Sequence, residues 1–551
     1  MPRIHSEADA VNKLRQIRTR KDIAQTLGTT VARINHYLYP KPRGYRVFKI
    51  PKKGGGERVI VAPSGPVSVW QRQLADLLRD AYRARSSVHG FCLDRSVATN
   101  ASCHLAMRWV LNLDLKDFFG TIHFGRVKGF FCSHPFEIPN GAAAVLAQMC
   151  CYDGKLAQGS PSAPIISNWV CRGLDRALSS LARNYRCTYT RYADDITFSS
   201  NRRVMGSGIV AGHDHSSVTL GSELREIIGD HGFVVNDAKV YLRGKTDRQE
   251  VTGLVVNKKR NVRRTYLREI RAALHNWEKE GYVSANADFQ SKYDRRYRLS
   301  ANSPSLAAFL RGRIEFAHQV RGHGDSITAW YGHKFELLSS EGLGTPIHAR
   351  TVRITSLMAT DTRALKLVVW VVQVLDKSGR EINHGTAFAL REHGLLTCWH
   401  VVEAPSGLTQ SDVTIQVRPA YDPKRKYPAA VNSFSEHYDL AALSTNAPIT
   451  AHLERSGPPP GDDATVILAG FQNWSTAGDS MWCQSLHIIQ RRIVSMRKLF
   501  AVDAKIIEGA SGGPALFDGK VWGVITYGHD GVVLANSVTS LEHIGELKPL
   551  A

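Results

Sequence analysis

All of the excess positive charge in this 551-residue chain lies in its first 350 residues, which carry 53 Lys and Arg against 30 Asp and Glu. Residues 351–551 carry 18 against 19. Parts this different are not built for one partner. The first has the electrostatic footprint of a polyanion binder, because neutralising phosphates releases their counterions and drives affinity. The second has no such footprint. The length allows several domains, so the charge break predicts two functional units. No apolar run of about 18 residues occurs, so no membrane span is expected. The polar start, Met1 to Gln16, lacks the apolar core of a secretion signal. Nine cysteines without a Cys-x-x-Cys pair argue against a zinc site or a disulfide framework, and for a reducing cytoplasm.

Within the basic part, Cys187–Tyr192 and Ile196–Ser200 are rich in β-branched and aromatic residues and read as strands. Ala193, Asp194 and Asp195 lie between them, so the simplest geometry is a hairpin with two carboxylates at its tip. Adjacent carboxylates repel unless a cation neutralises them, and Mg²⁺ with substrate phosphates does so well. On this stretch alone an ordinary Asp-Asp turn is equally open. Trp109–Leu113 reads as a buried strand ending at Asp114, a carboxylate that needs a partner. If Asp114 meets Asp194 and Asp195, the three can hold two Mg²⁺ for in-line phosphoryl transfer. Asp117 ranks below Asp114, as a solvated or capping residue.

Other stretches add to this. Residues 6–40 read as two short helices broken at Gly28, packing onto the next domain or, less simply, forming a helix-turn-helix. Tyr45–Pro63 reads as a hairpin around a Gly-rich loop with Lys52, Lys53 and Arg58, a shape that can fold over a triphosphate. Leu156–Asn168 is a Gly/Pro-rich loop leading into a helix. Residues 262–322 are basic and helical, with Arg264, Arg268 and Arg271 on one stripe and Trp277, Tyr293 and Tyr297 interleaved.

In order and sequence these blocks resemble the reverse transcriptase family over roughly residues 40–330. The resemblance assigns Asp114, Asp194 and Asp195 as metal-binding catalytic residues. It places Gln158-Gly159 in the second motif, and Gly232-Phe233 with Asn236 and Lys239 in the one after the Asp-Asp turn. Lys53, Arg58, Phe119, Gln158 and Lys239 would contact the incoming deoxynucleotide, with Phe119 crowding the 2′ side of its sugar. Gly120-Thr121 departs from the Pro-Ser of relatives, at a turn. Within that family the chain resembles retron reverse transcriptases, through Asn100-Ala-Ser-Cys-His104, Val251-Thr-Gly253, Val88-His-Gly-Phe91 and Arg95-Ser96. Asn100, His104, Arg264, Arg268 and Arg271 are then expected to contact RNA, although a buried structural role for His104 is equally open.

From 365 the texture changes to short strands with frequent turns: Leu365–Leu375, Thr386–Leu390, Leu395–Cys398 and Val413–Val417. Three residues stand out in chain order: His400 in Thr-Cys-Trp-His, Asp439 in Asp-Leu-Ala-Ala-Leu, and Ser511 in Gly-Ala-Ser-Gly-Gly-Pro. A serine hydroxyl needs an imidazole to take its proton, and the imidazole needs a carboxylate to orient it. Glycines around Ser511 permit a turn that aims the backbone N–H groups of Gly509 and Ser511 at a developing oxyanion. Residues 370–545 resemble trypsin-like serine proteases, which makes His400 the base, Asp439 the orienting acid and Ser511 the nucleophile. Ala510 replaces the activation-switch Asp of secreted members, and Val401 replaces a common Cys. Both departures suit a protease inside the cell, controlled by a partner or by conformation. Lys505 suggests a preference for acidic or small residues.

The expected architecture is an α+β right-hand polymerase followed by an all-β trypsin-like double barrel. Its parts are a helical segment at 1–44, fingers and palm at 45–260, an RNA-binding thumb at 261–340, a linker at 341–364 and the protease at 365–551. The resemblance implies an RNA-directed DNA polymerase that uses dNTPs and two Mg²⁺. It would make branched RNA-linked single-stranded DNA from a cognate structured noncoding RNA, in antiphage defence, with a protease effector acting on a protein substrate and possible oligomerisation. Alternatives are a group II intron-like or diversity-generating reverse transcriptase, a non-catalytic protease-like binding module, or a polymerase unit that only binds RNA.

Overall fold

A computed structural model describes residues 6–39, 44–51, 56–203, 205–213, 217–297, 303–322, 325–343, 362–391, 393–449, 451–461, 464–472, 481–494, 497–502, 509–526 and 537–550. They form two compact units, Met1–Arg263 and Arg264–Ala551.

The first unit opens with three short helices, Glu7–Arg15, Arg20–Thr26 and Val31–Leu38, where two were expected. The additional break comes at Thr19, which forms a reciprocal capping box with Asp22 and starts a helix of its own. Leu14, Ile23, Leu27, Ile34 and Leu38 are buried in one core with Trp70, Leu74 and the palm residues Leu111, Leu113, Ile196 and Phe198. The segment is therefore part of the polymerase core. Tyr45–Pro51 pairs with Glu57–Pro63 over its full length, giving the expected hairpin. Lys53, with the rest of 52–55, lies outside the described residues.

The palm is a four-stranded antiparallel sheet in the order Tyr241–Gly244, Trp109–Asp114, Asp195–Ser200, Thr188–Tyr192. Alternate residues of its two central strands, Leu111, Leu113, Ile196 and Phe198, enter the core. That alternation fixes the register, because a slip of one residue would move every one of them to the opposite face, where Thr197 and Ser199 now sit.

The second unit begins with four helices, Arg264–Glu280, Tyr282–Tyr297, Leu306–Arg321 and Ser326–Leu343. Two barrels follow. In the first, strands Thr414–Pro419, Val369–Leu375, Glu381–Leu390, Gly394–Thr397, Leu440–Thr445 and Tyr427–Ser435 neighbour one another in that order, and the last pairs back onto the first. The second closes through Thr465–Gly470, Trp482–Val494, Arg497–Val502, Ser537–Ser540, Lys520–Thr526 and Pro514–Phe517. Closure removes the exposed sheet edges that would otherwise invite pairing with other chains. The strand expected from Leu365 starts at Val369, after a one-turn helix at Thr362–Leu365. Of the expected linker, 344–361 lie outside the described residues. Ala329 of the last thumb helix is buried in the core cluster of the first barrel. The thumb helices and the barrels thus pack as one unit, where the sequence suggested separate parts.

Candidate functional site

The palm site follows from strand register. Asp114 lies opposite Asp195, and Tyr192 opposite Asp195 on the other side, so Ala193 and Asp194 form a two-residue loop. Ala193 takes φ 57°, a left-handed conformation that costs an L-residue on the order of 1–3 kcal/mol. The surroundings hold it there. A Cβ on Gly90 would lie 2.5 Å from the Ala193 nitrogen, so glycine lets the Val88–Phe91 segment press against the turn. Arg191 donates to the Ala193 carbonyl (3.1 Å) and makes a two-pronged ion pair with Asp175, at 2.7 Å on both arms. Arg191 and Asp175 are fully buried. The sequence reading missed this pair; its signal was an arginine inside a strand otherwise destined for the core.

Asp114 accepts from Lys239 Nζ (2.8 Å) and Asn236 Nδ2 (3.2 Å). The hydrogen bond with Asp114 raises the Lys239 pKa. Burial, with Asp114 nearby, raises that of Asp194. Burial, with Asp194 and Asp114 nearby, pushes Asp195 up to about 6. Three carboxylates thus face one lysine, and the unmet negative charge appears as proton affinity. This all-oxygen donor set fits hard divalent cations, which reverse transcriptases use. The carboxylates are not gathered around a single point: among the described residues, the set of three ligating side chains with donor atoms all within 4.8 Å is Cys398, His400 and Asp439.

The second-motif loop meets the fingers directly. Val61 donates to the Gln158 carbonyl (2.8 Å), and a Cβ on Gly159 would lie 2.6 Å from Ile60. Gly159 is thus required where the hairpin crosses the loop. Arg58 is exposed on that hairpin. Phe119 is half-buried, its ring 6.5 Å from Phe91, whose other neighbour is Tyr192 at 6.5 Å. Asp117 is exposed and makes no side-chain cap on the helix after it.

Two expected RNA contacts do not fit this geometry. His104 is completely buried, with Nδ1 2.7 Å from Ser199 Oγ and Nε2 2.7 Å from Thr190 Oγ1. It ties together the two strands of the Asp194-Asp195 hairpin, and burial lowers its pKa to about 3. Asn100 is 1% exposed. The Val-Thr-Gly signature packs on the helix Val97–Ser102, which carries Asn100: Thr252 and Gly253 make a turn with φ 47° and 81°, and Thr252 Oγ1 donates to Val97 O (3.3 Å). These retron signatures support the palm from behind. In the thumb, Arg264, Arg268 and Arg271 are exposed, as expected for polyanion contacts. Trp277 is 2% exposed and packs on Tyr282 and Phe335, so it is core and offers no stacking platform. Tyr293 packs on Phe289 and Phe309, and the Tyr297 side chain lies outside the described residues.

The protease residues come from both barrels. His400 sits in a one-turn helix, Trp399–Val402, directly after a first-barrel strand. Its Nδ1 is 2.8 Å from Asp439 Oδ2, and its backbone N–H donates to Asp439 Oδ1 (3.0 Å). One carboxylate thus fixes both the imidazole and its backbone. Ser511 is buried, in the turn before the second-barrel strand Pro514–Phe517. The barrels join around it: Thr386 N–H donates to Ser511 O, and Thr386 Oγ1 to Gly509 O, both at 2.8 Å. A Cβ on Gly512 would lie 2.0 Å from Thr386 O, and one on Gly513 2.1 Å from Ala469 O. Gly509 takes φ 90°. The Gly-x-Ser-Gly-Gly pattern is therefore a steric requirement at the barrel seam. Cys398 donates to Ile525 O (3.3 Å), and burial, then Asp439, hold its thiol far above its usual pKa. It closes the seam as a thiol, while Asp439 is committed to His400. Lys505 lies outside the described residues.

The described helices include none long and apolar enough to cross a membrane. Residues 50–256 match the family model for reverse transcriptase (RNA-dependent DNA polymerase), and residues 385–524 that for the trypsin-like peptidase domain. The chain is 34% identical to the retron Mx65 reverse transcriptase of Myxococcus xanthus, covering 49% of this chain and 65% of that protein. It is 30% identical to the retron Ec86 reverse transcriptase of Escherichia coli, covering 46% and 76%. The Rv3671c protease of M. tuberculosis, in its active form, is 20% identical over 34% of this chain and 85% of that one, with a TM-score of 0.28. The chain belongs to the retron reverse transcriptase family and carries a trypsin-like peptidase domain behind the polymerase fold.

Proposed function

We propose that the first unit is an RNA-directed DNA polymerase that copies a cognate structured noncoding RNA into branched, RNA-linked single-stranded DNA. The observation that carries this is the placement of Asp114 opposite Asp195, beside Asp194 and Lys239. Two Mg²⁺ ions held by these carboxylates would activate the attacking hydroxyl and neutralise the leaving pyrophosphate. Lys239 orients Asp114. Phe119 and Phe91 line the approach to the turn, where bulk selects against a 2′-hydroxyl. Arg58, with Lys53, supplies charge for the triphosphate, and Gln158 supports the fingers. The exposed arginines of the helix Arg264–Glu280 grip RNA phosphates, and His104 and Asn100 act by holding the palm in shape.

The second unit is proposed as a serine endopeptidase. Asp439 holds the His400 ring so that Nε2 takes the Ser511 proton, and the imidazolium formed is stabilised by the same carboxylate. Backbone N–H groups of Gly509 and Ser511 would receive the oxyanion. The DNA–RNA product would govern this effector in antiphage defence, in the cytoplasm, where the nine free cysteines stay reduced. The test is to purify the chain from its host, sequence the bound nucleic acid, and assay proteolysis before and after nuclease treatment. A bound inverted-repeat RNA joined to DNA, with proteolysis changed by nuclease, is expected. An unrelated mixture of cellular RNA, or proteolysis indifferent to nuclease, would refute the reading.

A further inference from the structure

A cavity of about 830 Å³ lies within the second unit, between the first and last thumb helices and the start of the protease part. Arg268, Arg271 and His275 line it from one helix, Trp330 and Lys334 from the other, and Lys366 from the entry to the first barrel. Among the described residues, none of its lining is acidic. Lys334 is offset by Glu278 at 2.6 Å. Arg268, Arg271 and Lys366 have no acidic partner within 4 Å among the described residues. Three uncompensated cations around an aromatic, largely apolar chamber call for a ligand that is both anionic and flat. A nucleotide is such a ligand: its base stacks on an aromatic face while its phosphate meets arginine and lysine. The volume is in the range of small-ligand sites.

We propose that this cavity binds an unpaired nucleotide of single-stranded nucleic acid, with Trp330 as the stacking surface and Lys366 as a phosphate contact from the protease part. The proposal rests on the reading of the thumb as a nucleic-acid grip and adds a site shared with the effector. The shared wall gives it a consequence. Trp330 meets Tyr421 edge-on at 6.2 Å, Tyr421 meets His333 at 4.2 Å and Trp370 at 6.4 Å, and Trp370 belongs to the first barrel strand Val369–Leu375. Ala329, next to Trp330, is part of that barrel's core. His400 and Asp439 flank the same barrel's strands, so filling the cavity loads the wall of the structure that carries them.

The test uses the full chain, fluorescein-labelled oligo(dT) and oligo(rU), and the Lys366→Ala variant, which alters a half-buried rim residue outside the thumb helices. Anisotropy titrations at several salt concentrations should show binding weakened about tenfold and the salt slope reduced by about one. Ultraviolet crosslinking should place an adduct on the peptide containing Trp330 in the parent protein. A fluorophosphonate probe should label Ser511 at a rate that changes with oligonucleotide in the parent and not in the variant. The oligo(dT) and oligo(rU) arms separate a DNA source from an RNA source. Unchanged affinity and slope, or adducts confined to other peptides, would overturn the site. Equal competition by polyglutamate would overturn the nucleotide in favour of an acidic peptide, and oligonucleotide-independent labelling would overturn the coupling. DNA synthesis on a primed template, measured on the same samples, reports separately on the polymerase reading.

Discussion

The two candidate sites hold a carboxylate against a cationic or ionisable partner by opposite strategies. In the palm, Asp114, Asp194 and Asp195 sit on neighbouring strands of one sheet, and their placement is set by register. Behind them a buried network of Arg191, Asp175 and Asn168 holds the turn, and His104 separately ties its two strands. In the protease, His400 and Asp439 lie in one barrel and Ser511 in the other, so the set exists only while the seam through Thr386, Cys398 and the glycines is closed. A site built on register is assembled whenever the sheet is folded. A site built across a seam can be altered without unfolding either side.

The sharpest way to break this comparison is at the chemistry of the seam. Ser511→Ala should lower kcat for a cleaved peptide by about a million-fold, and Asp439→Asn by about ten-thousand-fold, neither changing the melting temperature appreciably. Retained turnover in purified Ser511→Ala would make the domain something other than a serine peptidase.

The matching change in the palm should act on stability instead. Asp175→Ala leaves the Arg191 charge buried and unpaired, at a cost of about 3–5 kcal/mol in denaturant unfolding of the first unit. A cost below about 1 kcal/mol would mean that the turn is held by its strands alone.

These two networks also mark where the sequence was legible. The Asp-Asp hairpin and the strand ending at Asp114 could be read because β-branched runs on either side of a short gap specify a hairpin locally, although the gap is two residues, Asp195 belonging to the second strand. The triad could be read because Ser511 lies among glycines that tight packing demands. The Arg191–Asp175 pair could not, because it joins a strand to a helix only after folding. Trp277 belongs to a second stripe: Ile270, Leu274 and Trp277 repeat the spacing of Arg264, Arg268 and Arg271 about a third of a turn away, and that stripe is the buried one. His104 belongs to a signature whose spelling identifies relatives but not the direction of a side chain. The packing of the last thumb helix with the first barrel was hidden because the apolar face of that helix looks the same whichever surface covers it.

A smaller effect separates the sites by pH. With Asp195 raised to about 6, divalent ion binding must displace a proton below that value. Affinity for Mn²⁺ or Mg²⁺, followed by calorimetry from pH 5 to 8, should rise with pH up to about 6 and then level off. A flat profile would show that Asp195 is already ionised throughout. Smaller again, Gly159→Ala should push the fingers hairpin off the second-motif loop, raising KM for dNTPs more than it lowers kcat. An unchanged KM would detach that contact from nucleotide binding.

The central claim is that the register-fixed carboxylates make the DNA. It is tested most directly by expressing the parent chain and Asp194→Asn with the native RNA locus and analysing the branched nucleic acid bound to each. The account predicts RNA-linked DNA on the parent and RNA alone on the variant; the same DNA on both proteins would contradict it.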